Sequence, residues 1–291
     1  MGYEPTFLAL TDGVDIPVGE GLVDLPYTHF TVSMNTDRRL AAVTGVNIDG
    51  SQLKEVERED DWQLDPRLPE DQQAGEELYA DNDIDRGHLV RRRDPVWGET
   101  SVAEQANTDT FHYTVCAPQT SVFNQSMDLW LGLEDFVIAY ASEYEQKISV
   151  FTGCIFAADD PVYRGFAVPR RFFKIAAWAE GDELATSGYV LDQTPSLDDI
   201  PKEVAPDDIP PLGPYRTYQV PVADIADLTG LAMGPLVAAD RYLVPAVAAE
   251  SDRWRELMSY ADITLRTSRR ETSRRETSLA GEPAPLDDRT D

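Results

Sequence analysis

Lysine is nearly missing. Only Lys54, Lys147, Lys174 and Lys202 occur among 291 residues, so 53 acidic residues face 25 basic ones and the net charge is −28. A chain so charged lacks the general basic footprint that dominates phosphate affinity, so no whole-surface attraction to polyanions operates. Cysteine is almost as scarce: Cys116 and Cys154 cannot make a disulfide framework in a chain this long, and each sits in an apolar, strand-like run that suits a buried free thiol. No stretch approaches the roughly 20 apolar residues of a membrane helix, and Met1-Gly2-Tyr3-Glu4-Pro5 lacks the basic and apolar regions of a secretory signal. As written, the chain is expected to be soluble and cytoplasmic with no membrane partner, export by a route without a signal peptide staying open. Histidine is limited to His29, His88 and His112.

What is present is a length and apolar content sufficient for one large core or two smaller ones. Residues 1–21, rich in Gly, Pro and Asp, are expected to form an extended arm. Alternating residues from Tyr27 to Asn35 and from Arg39 to Ile48 predict two strands joined as a hairpin. Residues 55–84 are charged and punctuated by Pro66 and Pro69, which predicts a surface loop with short helical pieces. A short helix over Ser101–Ala106 follows, then a strand over Thr110–Ala117 ended by Pro118, and a helix from about Ser126 to Tyr144, where Leu129, Leu133, Phe136 and Val137 recur at helical steps. Further strands are predicted at Ile148–Phe156, Phe172–Trp178 and Thr186–Leu191, a long loop over 192–214 and a helical region from Arg241 to Ile263. The repeat Thr267-Ser268-Arg269-Arg270-Glu271, Thr272-Ser273-Arg274-Arg275-Glu276 opens a low-complexity tail over 264–291, read as disordered and solvated, with a weak nucleic-acid tether as the other use of its arginines. The division is therefore 1–21, a domain over 22–263, and the tail.

The chemistry concentrates in Asp83-Ile84-Asp85-Arg86-Gly87-His88-Leu89. An imidazole with an ordinary pKa of about 6.5 is mostly neutral near pH 7 and can accept a proton. Gly87 permits close backbone approach. Arg86 offers a planar fork for phosphate or, equally, for a structural ion pair with local carboxylates. His29 and His112 sit in strand-like alternation and read as structural. Asn124 suits either a cation or a helix N-cap; Glu134 suits a metal shell or plain solvation. Arg91, Arg92 and Arg93 form a run that can touch substrate phosphates or line an exposed charged face.

Taken with Asn107-Thr108-Asp109-Thr110-Phe111, Ala117-Pro118-Gln119, Asn124-Gln125 and Leu133-Glu134, the run Asp85-Arg86-Gly87-His88 resembles the DNA/RNA non-specific endonucleases. Phe151-Thr152-Gly153-Cys154, with cysteine where the family has proline, Val168-Pro169-Arg170-Arg171-Phe172-Phe173-Lys174, Val220-Pro221-Val222-Ala223-Asp224-Ile225 and Thr229-Gly230-Leu231 extend the resemblance over roughly residues 22–240. It implies an α+β fold, with a central antiparallel sheet flanked by helices and a ββα-metal (His-Me finger) element. It also implies a Mg2+-dependent hydrolase acting on DNA and RNA, Mn2+ being the other cation such a site takes. His88 would activate water, Asn124 would be the single protein ligand of a hydrated cation, and Glu134 would support its water shell. The spacing from Asn124 to Glu134 is longer than the family's. The arginine that braces the transition state falls on Arg58, with Arg67 as competitor. The resemblance further implies a homodimer, by analogy, and places the strands of Cys116 and Cys154 near each other, so a bond between them stays open; an inhibitor protein is a further partner left open.

For such an enzyme the acidity needs an explanation. Near 1 M salt the Debye length is about 3 Å, which erases the overall field and leaves contact-range interactions; alternatively an arginine-lined groove survives locally. Abundant Asp and Glu with little Lys resembles proteins of halophiles and favours the first. The other functional class is a catalytically silent member of the fold that docks a basic partner on its acidic surface.

Overall fold

The computed structural model describes residues 2–81, 84–120, 146–194, 197, 216–244, 253–259 and 262–266. Its frame is an eight-stranded sheet built from β1 (Val23–Tyr27), β2 (Phe30–Asn35), β3 (Leu40–Asp49), β6 (Lys147–Ile155), β9 (Arg171–Glu180), β10 (Glu183–Asp192), β11 (Arg216–Val220) and β12 (Arg255–Glu256), in that spatial order. Every neighbouring pair is antiparallel. Two small sheets accompany it, β4 (Ile84–His88) with β5 (Cys116–Thr120) and β7 (Val162–Tyr163) with β8 (Phe166–Ala167). The helices described are α1 (Glu76–Tyr79), α2 (Thr100–Asp109), α3 (Val222–Thr229) and α4 (Gly234–Ala238).

Side chains alternate across a strand, and the sheet uses both faces. In β9, Phe172 and Ala176 enter one core while Phe173, Ile175 and Ala177 enter the other. The first core takes in Leu78, Leu89, Tyr113 and Cys116, and so carries β4 and β5. The second takes in Leu8, Val14, Val222, Ile225 and Leu236. Candidate chemistry thus lies on the first face, while α3 and α4 cover the second.

Several expectations change at this level. The segment 2–20 does not project: the Tyr3 hydroxyl donates to the Val14 carbonyl, Glu4 N–H donates to Asn47 Oδ1, and Leu8 and Val14 are buried. Its sparse apolar residues give it a face to lay on the sheet. The strand expected from Tyr27 to Asn35 is broken at Thr28-His29, where His29 takes φ +68° and makes the turn between β1 and β2. Stacking on Trp97 at 3.5 Å and a contact of Nδ1 with the Pro95 carbonyl at 2.8 Å hold it there. Pro118 does not end a strand; Tyr113–Val115 is a 3-10 turn, and the strand begins at Cys116.

Proline is tolerated in β5 because its missing N–H falls on the outer edge. Buried Gln193 occupies that edge: Oε1 accepts from Thr120 N–H at 3.1 Å, and Nε2 donates to the carbonyls of Pro118 at 3.3 Å and Pro169 at 2.6 Å. In the region from Arg241 to Ile263, residues 245–252 and 260–261 lie outside the described residues; those described include no α-helix and do include β12, which pairs with Tyr218 and Gln219. Trp254 donates to Asp224 at 2.9 Å, anchoring that return to α3. Thr264–Arg266, expected in the tail, is tied into the fold through Gln219 and Arg241; 267–291 lie outside the described residues. Both thiols are free and buried.

Gly153 carries the close approach of β6 to β3: a Cβ there would lie 2.0 Å from the Ala42 carbonyl oxygen and 2.7 Å from the Phe173 ring. Gly153→Ala is expected to destabilise the fold by about 1–3 kcal/mol through overpacking, read as a lowered midpoint in urea unfolding.

Candidate active site

β4 sets the site. With a two-residue period, Arg86 and His88 leave the same face of the strand, and Gly87 faces the other way. The glycine is needed for space: a Cβ at Gly87 would meet the Gln119 side chain at 2.0 Å. Beyond the strand, Leu89 N–H donates to the Val115 carbonyl at 2.9 Å, and Leu89 and Val90 are buried, which fixes the exit of the chain from His88.

The imidazole lies among aromatic rings, with centroids 5.0 Å from Trp62 and 5.6 Å from Phe111, the latter edge-on. Its Nε2 is buried without a hydrogen-bond partner among the described residues. Burial pushes the His88 pKa down, the charges of Arg58 and Arg92 push it further, and Asp60 and the Thr110 backbone oppose them; the result is about 3. The ring is therefore neutral at any ordinary pH.

Trp62 reaches His88 because the charged loop is strapped down immediately after it. Gln63 N–H donates to the Phe111 carbonyl at 3.0 Å and the Gln63 carbonyl accepts from Tyr113 N–H at 2.9 Å. Two residues on, buried Asp65 accepts from Arg67 at 2.6 Å and from the Tyr27 hydroxyl, and the same hydroxyl lies 2.6 Å from Thr114 Oγ1. Burial raises the Asp65 pKa, but the Arg67 and Tyr27 hydrogen bonds more than offset it and hold the carboxyl at about 2.

The candidate arginines divide by what already holds them. Arg67 is committed to Asp65 and lies over the Tyr27 ring at 4.5 Å, away from His88 in its contacts. Arg58 pairs with Asp60 at the surface, lies 5.8 Å over Phe111, and acts electrostatically on His88. Arg92 donates to Asn107 Oδ1 and to the Val56 carbonyl, both at 3.0 Å. Desolvation lowers the Arg92 pKa, and the charges of Arg58, Arg93 and Arg91 lower it further, so four positive charges crowd one place in a strongly acidic protein. Arg93 also pairs with Glu55. Arg86 is paired to Glu76 and surrounded by the rings of Tyr79, Trp62 and Tyr113 at 5.6–5.8 Å.

Asn124, Glu134 and the expected helix over Ser126–Tyr144 lie outside the described residues. Among those described, no three His, Cys, Asp or Glu side chains are grouped so as to hold a metal ion. Sequence reasoning missed Trp62, Tyr113 and Glu76. For Trp62 a signal existed: it is the aromatic residue that closes the charged run Glu55–Asp61.

With this geometry in place, comparison with known proteins is informative. The DNA/RNA non-specific endonuclease family profile matches residues 12–240. The chain is 44% identical over 250 residues to the Sinorhizobium fredii protein named Uncharacterized protein y4fB, covering 82% of this chain and 37% of that one. It is 28% identical over 207 residues to human mitochondrial Endonuclease G (67% of this chain, 63% of that one), and 25% identical over 207 residues to a Nostoc sp. protein named Nuclease (69% of each). The chain thus spans 37% of the rhizobial protein's length and 63% of the human one's. Among solved structures it resembles the crystal structure of the EndoG/EndoGI complex with a TM-score of 0.53 at 18% identity, covering 73% of this chain and 86% of that one, a likeness of fold. The large antiparallel sheet is what an α+β fold with a ββα-metal element predicts.

The pKa shifts give a pH expectation. His88 is uncharged when folded but protonates in the unfolded chain near pH 6.5, so its burial costs stability progressively as pH falls from about 6.5 toward 3. Asp65 adds a loss at lower pH, between its unfolded value of about 3.9 and about 2. In an NMR titration of the three imidazoles, assigned with a His88→Gln variant, the His88 signal should remain that of a neutral ring at pH 5. A midpoint near 6.5 would contradict the packing described.

Proposed function

Because the chain belongs to the DNA/RNA non-specific endonuclease family, we propose that it hydrolyses phosphodiester bonds of DNA and RNA, with His88 as general base. The observation that carries this is a neutral imidazole inside a cluster of arginines, on a protein otherwise dominated by acids. In this scheme His88 takes the proton of the water that attacks phosphorus in line. Trp62 and Phe111 orient the ring, which is already neutral and so does not need to lose a proton of its own first. Arg58 is the arginine that neutralises charge at the phosphoryl group, since Arg67 is committed to Asp65. Arg92, oriented by Asn107, with Arg91 and Arg93, draws the backbone of the substrate toward the site.

A cation that keeps most of its water needs only one or two protein oxygens, which suits Mg2+ with Mn2+ as its substitute. Asn124 would hold it and Glu134 would support its water shell. When bound, such an ion supplies charge neutralisation at the phosphoryl group and stabilises the leaving oxygen.

His88→Ala should lower plasmid nicking by about 10²- to 10⁴-fold with an unchanged circular dichroism spectrum; nicking at the wild-type rate would remove His88 from the chemistry. Arg58→Ala should lower cleavage with little change in melting temperature, whereas Arg67→Ala should chiefly lower the melting temperature, because it strands a buried carboxylate. Plasmid and RNA incubated with Mg2+ and then with chelator separate the enzyme from a silent acidic module, which would cleave under neither condition. Cleavage should rise between low salt and about 1 M if overall repulsion dominates; a steady fall would credit the arginine cluster alone.

A further inference from the structure

In the free protein the Arg86 guanidinium already holds an anion. Glu76 Oε2 lies 2.5 Å from Arg86 Nη2 and accepts a second hydrogen bond from the Tyr113 hydroxyl. A carboxylate held by one guanidinium and one phenol occupies the place that two oxygens of a phosphodiester would take. Arg86 and His88 share a face of β4, so an anion on Arg86 is an anion beside the base. The two partners differ in freedom: the Glu76 side chain is 60% exposed, at the first residue of the one-turn helix α1, while Arg86 is 29% exposed and fixed among three rings. The carboxylate can swing into solvent; the guanidinium stays.

We propose that Glu76 is an internal competitor for substrate phosphate, occupying Arg86 and Tyr113 until nucleic acid displaces it, and that Tyr113 is a phosphate-binding residue. The proposal rests on the nuclease reading above. Hydrogen bonds from Tyr113 and Arg86 hold the Glu76 carboxyl below its ordinary pKa, so the competitor is charged throughout the working range. The neighbouring carboxylate, Glu77, provides the control. It carries the same charge at the next position but pairs with Arg39 at 3.0 Å, outside the candidate site.

The test is equilibrium binding of a fluorescein-labelled single-stranded DNA oligonucleotide in EDTA, where cleavage is blocked, for wild type, Glu76→Gln, Glu77→Gln and the double variant Tyr113→Phe/Glu76→Gln. An exposed ion pair contributes up to about 1 kcal/mol, so Glu76→Gln should bind about two- to fivefold tighter. Its salt dependence should steepen by about 0.7 of a logarithmic slope unit, the value for one added contact to a single strand. Glu77→Gln should match wild type, and Tyr113→Phe/Glu76→Gln should lose part of the gain. Melting temperatures confirm that each variant is folded. Equal gains in Glu76→Gln and Glu77→Gln would reduce the effect to net charge and overturn the proposal, as would unchanged or weaker binding by Glu76→Gln. If Mg2+-dependent plasmid cleavage persists in wild type while Glu76→Gln binds no tighter, only the competitor fails; if wild type neither binds nor cleaves, the nuclease reading falls with it.

Discussion

A buried carboxylate organises the working side of this protein. Asp65 is 1% exposed, yet stays ionised because Arg67 and Tyr27 bond it directly and Gln73 bonds its backbone on both sides. Tyr27 ends the edge strand β1, and Thr114 reaches the same hydroxyl from the segment that precedes β5. One side chain therefore ties the sheet edge, the acidic loop and the β4–β5 pair into a single unit. Removing it would leave a half-buried guanidinium and a buried phenol without their acceptor. Trp62 and Arg58, which come from the same loop, are placed beside His88 only as long as that loop is held.

The charge distribution is resolved locally rather than on average. Acids outnumber bases two to one along the chain, but Arg58, Arg91, Arg92 and Arg93 lie near enough to repel one another. Nearby carboxylates hold two of them in pairs, Asp60 with Arg58 and Glu55 with Arg93, and Glu76 holds Arg86 in the same way. Such pairs are weak at an exposed surface, so they restrain the arginines without immobilising them. The field at the site is decided within a few ångströms of it.

How much of this was legible follows from the kind of signal each part sends. β3, β6, β9 and β10 are long runs with apolar residues on both faces, and the strands predicted at these places overlap them within a few residues. The break between β1 and β2 was hidden because the turn uses His29 at positive φ, where glycine or asparagine would have announced it. Pro118 misled because the partner on its outer edge, Gln193, is 75 residues away. α3 sends little signal of its own because it is short and its start is marked only by Pro221 before the first turn. At the site, the motif marked His88 and Arg86, whereas Trp62, Tyr113 and Glu76 assemble from separate segments and carry no local pattern. Asn124 and Glu134 rest on the motif alone.

Gln193 has a consequence beyond holding two loops together. A two-stranded sheet ordinarily presents an unpaired backbone rim, and such rims recruit strands from other chains. Here an amide mimics the missing peptide group on the outer side of β5, and Pro118 removes a donor from the same rim. The β4–β5 pair bearing the histidine is thereby closed to edge-to-edge association along β5, so it can sit apart from the main sheet without becoming a seed for aggregation.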